Sequence, residues 1–267
     1  MPTARRALIA GLGLIGGSIG IALRRAGWRV SFDDPNVSLD DARAAGAADD
    51  DDREGADITI LAMPVDTALE LVGRRPLALD RLESRQRLGQ QPTVNSRLVT
   101  SVCSVMGPLR AAADAHHISF VAGHPLAGSE KRGLTAARGD LFSGKPWFVD
   151  RDEQLVADII DACGARAERV SAEEHDRAVA LTSHLPQLLS TALGALGDDE
   201  RARFAGGGLR TFLRLAESDA SVWMPVLAAN REYVRAELER VVAIAQAILD
   251  GDAAAFERAR QFVRRLA

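Results

Sequence analysis

The chain has 267 residues, 47% hydrophobic and 26% charged, enough for one large domain or two smaller ones, and collagen-like, disordered and disulfide-miniprotein classes are excluded. A formal net charge of −4, from 33 basic and 37 acidic residues with no basic stripe, argues against a nucleic-acid partner. Cys103 and Cys163 fit neither a disulfide framework nor a metal-binding spacing, and no apolar run reaches the roughly 20 residues of a membrane span, so a cytoplasmic protein without metal or membrane contact is expected.

In chain order, Arg6 to Ala10 predict a short strand flowing into a glycine turn, Leu14 to Ala26 a helix stopped by Gly27, and Arg29 to Phe32 a second strand ending at Asp33, Asp34 and Pro35. This is a βαβ unit. The acidic run Asp49 to Asp52 is expected to be a solvated loop without chemistry. Further buried-type strands are predicted at Ile58 to Met63, Val99 to Val102 and Ile118 to Ala122, with helical patterns between them, which implies a mostly parallel sheet. The polar stretch 73–97 reads as a helix extension followed by a surface loop. From Ser171 onward, alanine, leucine and arginine-rich helical patterns take over. Apolar positions from Val222 to Ile248 recur at spacings that predict one long helix over Asp219 to Asp250, whose stripe needs another helix against it. Two domains are therefore expected, 1–170 and 171–267.

Gly11-Leu12-Gly13-Leu14-Ile15-Gly16 follows a strand and opens a helix, the context in which GxGxxG cradles a pyrophosphate. The expected fold is a Rossmann-type α/β dinucleotide-binding domain followed by an all-α domain. Asp33 and Asp34 lie in the range, roughly 20 residues on, where an acid accepts from the adenosine ribose hydroxyls, and either fits. A 2′-phosphate would meet both carboxylates with no arginine adjacent, which favours NAD over NADP. Met63 and Pro64, at the end of a later strand, are placed to line the cofactor cleft or simply to end the strand.

Three further runs are more specific. His124-Pro125-Leu126-Ala127-Gly128-Ser129-Glu130-Lys131-Arg132-Gly133, then Glu174-His175-Asp176 with Ser183-His184-Leu185-Pro186, then Gly206 to Arg214 and Ser218-Asp219 with Trp223, together with the glycine turn, resemble the prephenate/arogenate dehydrogenase family in order and spacing over nearly the whole chain. The resemblance implies hydride transfer to NAD coupled to loss of carbon dioxide from a cyclohexadienyl ring, with prephenate going to 4-hydroxyphenylpyruvate. It implies His124 as the base, Ser104 as the residue that orients it, Arg214 on a substrate carboxylate, and Glu130 and His184 near the pocket. The long apolar stripe of the C-terminal helices, more than the tail 171–267 can cover by itself, predicts a homodimer through those helices. By its residues alone, Ser104 also reads as an N-cap for a helix beginning near Val105.

The chain departs from the family at Thr100-Ser101-Val102-Cys103-Ser104-Val105-Met106, where Thr-Asp-Val-Gly-Ser-Val-Lys is usual, and at Gln187, where prephenate-type members commonly carry a second histidine. Gln187 offers a neutral donor and acceptor to the substrate, which keeps arogenate and 4-amino-4-deoxyprephenate open as alternatives to prephenate. The altered run keeps open a non-catalytic NAD-binding protein.

Overall fold

The computed structural model describes residues 4–73, 98–128 and 131–266. The chain divides into two compact units, Met1–Asp176 and Arg177–Ala267.

The first unit is built on β1 (Arg6–Ala10), α1 (Leu14–Arg25), β2 (Arg29–Asp33), α2 (Leu39–Ala44), β3 (Ile58–Leu61), α3 (Val65–Gly73), β4 (Leu98–Ser101), α4 (Gly107–Ala115) and β5 (Phe120–Val121). The five strands form one parallel sheet in the order β2-β1-β3-β4-β5. β1, β3 and β4 are inner strands covered on both faces, which is why they read as near-continuous apolar runs rather than alternating ones. Ile9, Ile19, Leu23, Ile58 and Ile60 are fully buried in the core, each contributing roughly 1.5–3 kcal/mol by leaving water. The chain then adds β6 (Gly123–Pro125), β7 (Pro146–Val149), α5 (Gln154–Ala162) and β8 (Arg166–Arg169). β6 pairs antiparallel with β7 and β7 parallel with β8 in a second, three-stranded sheet.

The acidic run is not the free solvated loop expected. Asp49 accepts the Val30 N–H and pairs with Arg24, Asp50 pairs with Arg29 and Asp52 with Arg6, so the run ties down β1, α1 and β2. The arginines that hold it come from earlier in the chain, and local composition does not register them.

α6 (Ala172–Val179) begins where the texture of the sequence changes, because Ser171 Oγ accepts the Glu174 N–H at 3.1 Å, the serine half of a capping box. Its first residues pack with the first compact unit, which runs to Asp176. A π-helical turn (Ala180–His184) follows, then α7 (Leu185–Ala195), α8 (Asp199–Ala202), α9 (Gly207–Leu213), a 3₁₀ turn (Arg214–Glu217), α10 (Ala220–Ala229), α11 (Arg231–Leu249) and α12 (Ala254–Leu266).

The single helix expected over Asp219 to Asp250 is two helices, broken at Asn230. Asn230 leaves helical geometry at φ −109° and ψ 23°, is buried, and its Nδ2 lies 3.0 Å from His184 Nδ1. Satisfying that buried ring nitrogen interrupts a periodicity that runs on through the sequence. Phe204, Met224, Val242, Leu249, Phe256 and Val263 of this unit are exposed.

Candidate active site

The strand order sets the site. Parallel strands place all their carboxyl ends at one edge, where ligands of open α/β sheets bind. Along that edge the sequence delivers Asp33 at the end of β2, the glycine turn after β1, Ala62 and Met63 after β3, Ser104 after β4 and His124 after β5.

Gly11 has φ +94°, and a Cβ there would lie 2.6 Å from Ala62 O, so only glycine passes. A Cβ on Gly16 would lie 2.0 Å from Gly11 O, which is the close approach of α1 to the turn. At Gly13 an added Cβ would meet nothing within 4 Å, and the N-terminus of α1 has no side-chain cap. Leu12, Gly13, Leu14 and Ile15 thus surround an open helix N-terminus whose N–H groups suit a pyrophosphate.

The two acids separate cleanly. Asp34 Oδ2 accepts the Leu12 N–H at 2.8 Å and its Oδ1 the Asn36 N–H at 2.9 Å, so Asp34 braces the glycine turn. Asp33 is buried, and its Oδ2 has no hydrogen-bond partner among the described residues. A buried, unpartnered acceptor at the end of β2 fits a ribose hydroxyl. Burial raises the Asp33 carboxyl above the usual carboxylate range, with Arg53 opposing and Asp34 adding to the effect. Arg53 lies 2.7 Å from Asp33 Oδ1, which corrects the expectation that no arginine stands beside these carboxylates. It arrives from the loop before β3, outside the motif.

Met63 O accepts the Cys103 thiol at 3.5 Å, joining the ends of β3 and β4, while Pro64 is exposed and its carbonyl accepts the Ala68 N–H as α3 begins. Cys103 and Cys163 are buried, and desolvation pushes each thiol up to about 12, so neither is a reactive thiolate near neutral pH. Ser104 occupies the bend after β4, half-buried, and does not cap α4. Asp176 does that instead, its Oδ1 accepting the Met106 N–H at 2.8 Å and its Oδ2 the Gly107 N–H at 2.7 Å.

His124 sits on β6 opposite Phe148, half-buried. The strand leading to it is anchored from α4: Arg110 pairs with Asp150 and donates to Phe120 O at 2.6 Å, and Asp150 accepts the Ala122 N–H. His124 Nδ1 lies 2.9 Å from His175 Nε2, and His175 Nδ1 lies 2.8 Å from Asp176 Oδ1. His175 and Asp176 stood in the sequence only as part of a family run. Beyond each other, the partners described for them, His124, Met106 and Gly107, are remote in the chain, and no local signal could have assigned them.

The second unit carries the remaining residues. His184 is buried, with Asn230 at its Nδ1 and the Trp223 ring edge-on at 6.1 Å, an arrangement that holds the break between α10 and α11. Gln187 Nε2 donates to Leu215 O at 2.8 Å and to Thr191 at 3.1 Å, leaving Oε1 buried without a partner among the described residues. Arg214 is exposed at the start of the 3₁₀ turn. Glu130 lies outside the described residues. Among the described residues no cluster of ligating side chains could hold a metal ion, and no helix is long and apolar enough to cross a membrane.

Residues 88–168 match the family model described as "Prephenate dehydrogenase, nucleotide-binding domain", and residues 171–260 the one described as "Prephenate dehydrogenase, dimerization domain". A probable prephenate dehydrogenase, NovF of Streptomyces niveus, is 32% identical, with 98% of this chain and 75% of the relative aligned. The prephenate dehydrogenase of Lactococcus lactis subsp. cremoris is 28% identical over 89% of this chain and 67% of its own. Among solved structures, prephenate dehydrogenase from A. aeolicus in complex with hydroxyphenyl propionate and NAD+ superposes with a TM-score of 0.77 at 24% identity over 98% of both chains. Synechocystis arogenate dehydrogenase does so at 0.71 and 23% over 97% of both. At those identities the likeness is one of fold.

The Asp33 and Arg53 pair sets an expectation for cofactor choice. NAD should bind about 10-fold more tightly than NADP, roughly 1.4 kcal/mol, because the 2′-phosphate meets a net negative corner. Asp33→Asn should narrow that ratio and Arg53→Ala widen it, as read by fluorescence titration of both dinucleotides. Equal curves for the two in the wild type, or a ratio indifferent to both substitutions, would contradict the assignment.

Proposed function

The chain belongs to the prephenate dehydrogenase family, and from that premise we propose that it catalyses the NAD-dependent oxidative decarboxylation of prephenate to 4-hydroxyphenylpyruvate. The observation that carries the reading is His124: it stands beyond the carboxyl edge of a sheet whose glycine turn fits a dinucleotide, with one ring nitrogen engaged by His175.

NAD, when bound, would supply the hydride acceptor. The glycine turn and the N-terminus of α1 would hold its pyrophosphate and Asp33 its ribose. His124 takes the proton of the ring hydroxyl as the carbon bearing it is oxidised, and loss of carbon dioxide aromatises the ring. The proton then returns from His124 to the phenolate oxygen, so the base is regenerated. Ser104 orients the ring hydroxyl and the imidazole. Arg214, exposed and planar, pairs with a substrate carboxylate through a fork that lysine does not offer.

A second reading rests on Gln187. Both of its amide donors are taken by this chain, and the remaining buried Oε1 is an acceptor. An ammonium satisfies such an atom and a carboxylate does not, which favours arogenate or a 4-amino ring analogue.

The exposed apolar side chains of α10, α11 and α12 support a homodimer formed through the helical unit, since a monomer would leave Val242, Leu249, Phe256 and Val263 in water.

Mixing the protein with NAD and prephenate should raise absorbance at the reduced-nicotinamide band. His124→Asn should lower turnover by about 10²–10⁴-fold while NAD affinity stays near wild type. Retained turnover would mean that another group is the base. The ratio of kcat/KM for prephenate to that for arogenate should move towards prephenate in Gln187→His, and an unmoved ratio removes Gln187 as the selector. Light scattering at micromolar concentration should report the mass of two chains, and a single-chain mass would contradict the dimer.

A further inference from the structure

Behind His124 lies a row of polar groups that the reaction as described does not use. His175 is 2% and Asp176 1% exposed, and both sit on the first turns of α6, inside the first unit. The His124 and His175 rings meet edge to face at 5.0 Å, and the Phe148 ring packs on His175 at 5.7 Å, so the imidazole contacts run through a water-poor layer.

Hydrogen-bond accounting gives the row a direction. Both oxygens of Asp176 accept, from the Met106 and Gly107 N–H groups at the N-terminus of α4, and the carboxylate therefore acts as an acceptor towards His175 as well. His175 Nδ1 is then the donor. A neutral imidazole has a single N–H, so His175 Nε2 is the acceptor, and the nitrogen facing it, His124 Nδ1, carries the hydrogen. The remaining nitrogen of His124, Nε2, holds a lone pair.

We propose that His175 and Asp176 are positioning residues that lock His124 in its Nδ1–H tautomer, directing the basic Nε2 lone pair at the substrate, and that stabilise the imidazolium formed when that nitrogen takes a proton. The proposal rests on His124 being the base and assigns what makes it one. Free histidine in water prefers the opposite tautomer, so the row imposes a state that His124 does not adopt unaided. No proton passes to Asp176: the positive charge arising on His124 is met through His175 by a fixed carboxylate, the logic of a buried acid behind a catalytic imidazole. The same carboxylate caps α4 directly after the Ser104 bend, so Ser104 and His124 are referenced to one group.

The test uses the full chain labelled with [15N]histidine. Nitrogen chemical shifts report which ring atom carries the hydrogen, and the His124 signals are identified by their loss in His124→Asn. The expected result is an Nδ1–H tautomer at His124 without any ligand. In Asp176→Ala the acceptor behind His175 is lost, the row no longer has a fixed direction, and His124 should relax towards the free-histidine tautomer mixture with kcat falling about 10²–10⁴-fold. Should that variant fail to fold, His175 supplies the second arm. His175→Leu should release the tautomer and lower kcat with NAD affinity kept. His175→Gln, whose carbonyl still accepts from His124 Nδ1–H, should recover part of the loss, which a merely structural role would not produce. An Nε2–H tautomer or a free-histidine mixture in the wild type, or wild-type kcat in His175→Leu, would overturn the proposal. Absence of reduced nicotinamide with every cyclohexadienyl substrate, while His124 keeps its Nδ1–H signal, would overturn the reaction and leave the tautomer assignment supported.

Discussion

The Asp176 carboxylate is the constraint on which the rest of the site depends. It is buried, and a buried carboxylate without partners is costly by several kcal/mol; its partners include two backbone N–H groups at the N-terminus of α4 and one imidazole nitrogen. Hydrogen bonds to a charged acceptor contribute about 1.5–3 kcal/mol each. Those bonds fix the end of the β4–α4 turn, the start of α6 and the ring of His175 in one stroke. Through His175 they also fix the orientation of His124, which its own short strand, three residues long, would leave loose.

At the other end of the sheet the same economy appears in Asp34. Its carboxylate takes the Leu12 N–H, while the Asp33 carbonyl takes the Gly11 N–H at 3.0 Å, so the glycine turn is held against the end of β2 by two consecutive residues. The turn is thereby preorganised, and the Asp33 side chain takes no part in that work, its buried Oδ2 without a partner among the described residues. The strand order β2-β1-β3-β4-β5 then places Asp33, the glycine turn and His124 along one edge, where the proposed dinucleotide would lie.

What the amino-acid sequence discloses follows the range of the interactions involved. The βαβ unit and GxGxxG are local, and the strand ends and glycine positions stand where the periodicity puts them. The choice between Asp33 and Asp34 was not legible, because adjacent acids look alike until Leu12, 22 positions away, engages one of them. Arg53 was missed for the same reason. His175 and Asp176 could be read only as part of a family pattern, since His124 is 51 residues from one and Met106 is 70 from the other. The break at Asn230 depends on His184, 46 positions earlier, and a continuous apolar stripe conceals it.

The most direct test of the account is a crystal structure of the protein with NAD and a ring product analogue bound together. The ring hydroxyl should lie within hydrogen-bond reach, about 2.6–3.2 Å, of His124 Nε2, with His124 Nδ1 still against His175 and Arg214 on the analogue's carboxylate. A hydroxyl facing another base, or a His124 ring turned so that Nδ1 meets the ligand, would contradict it.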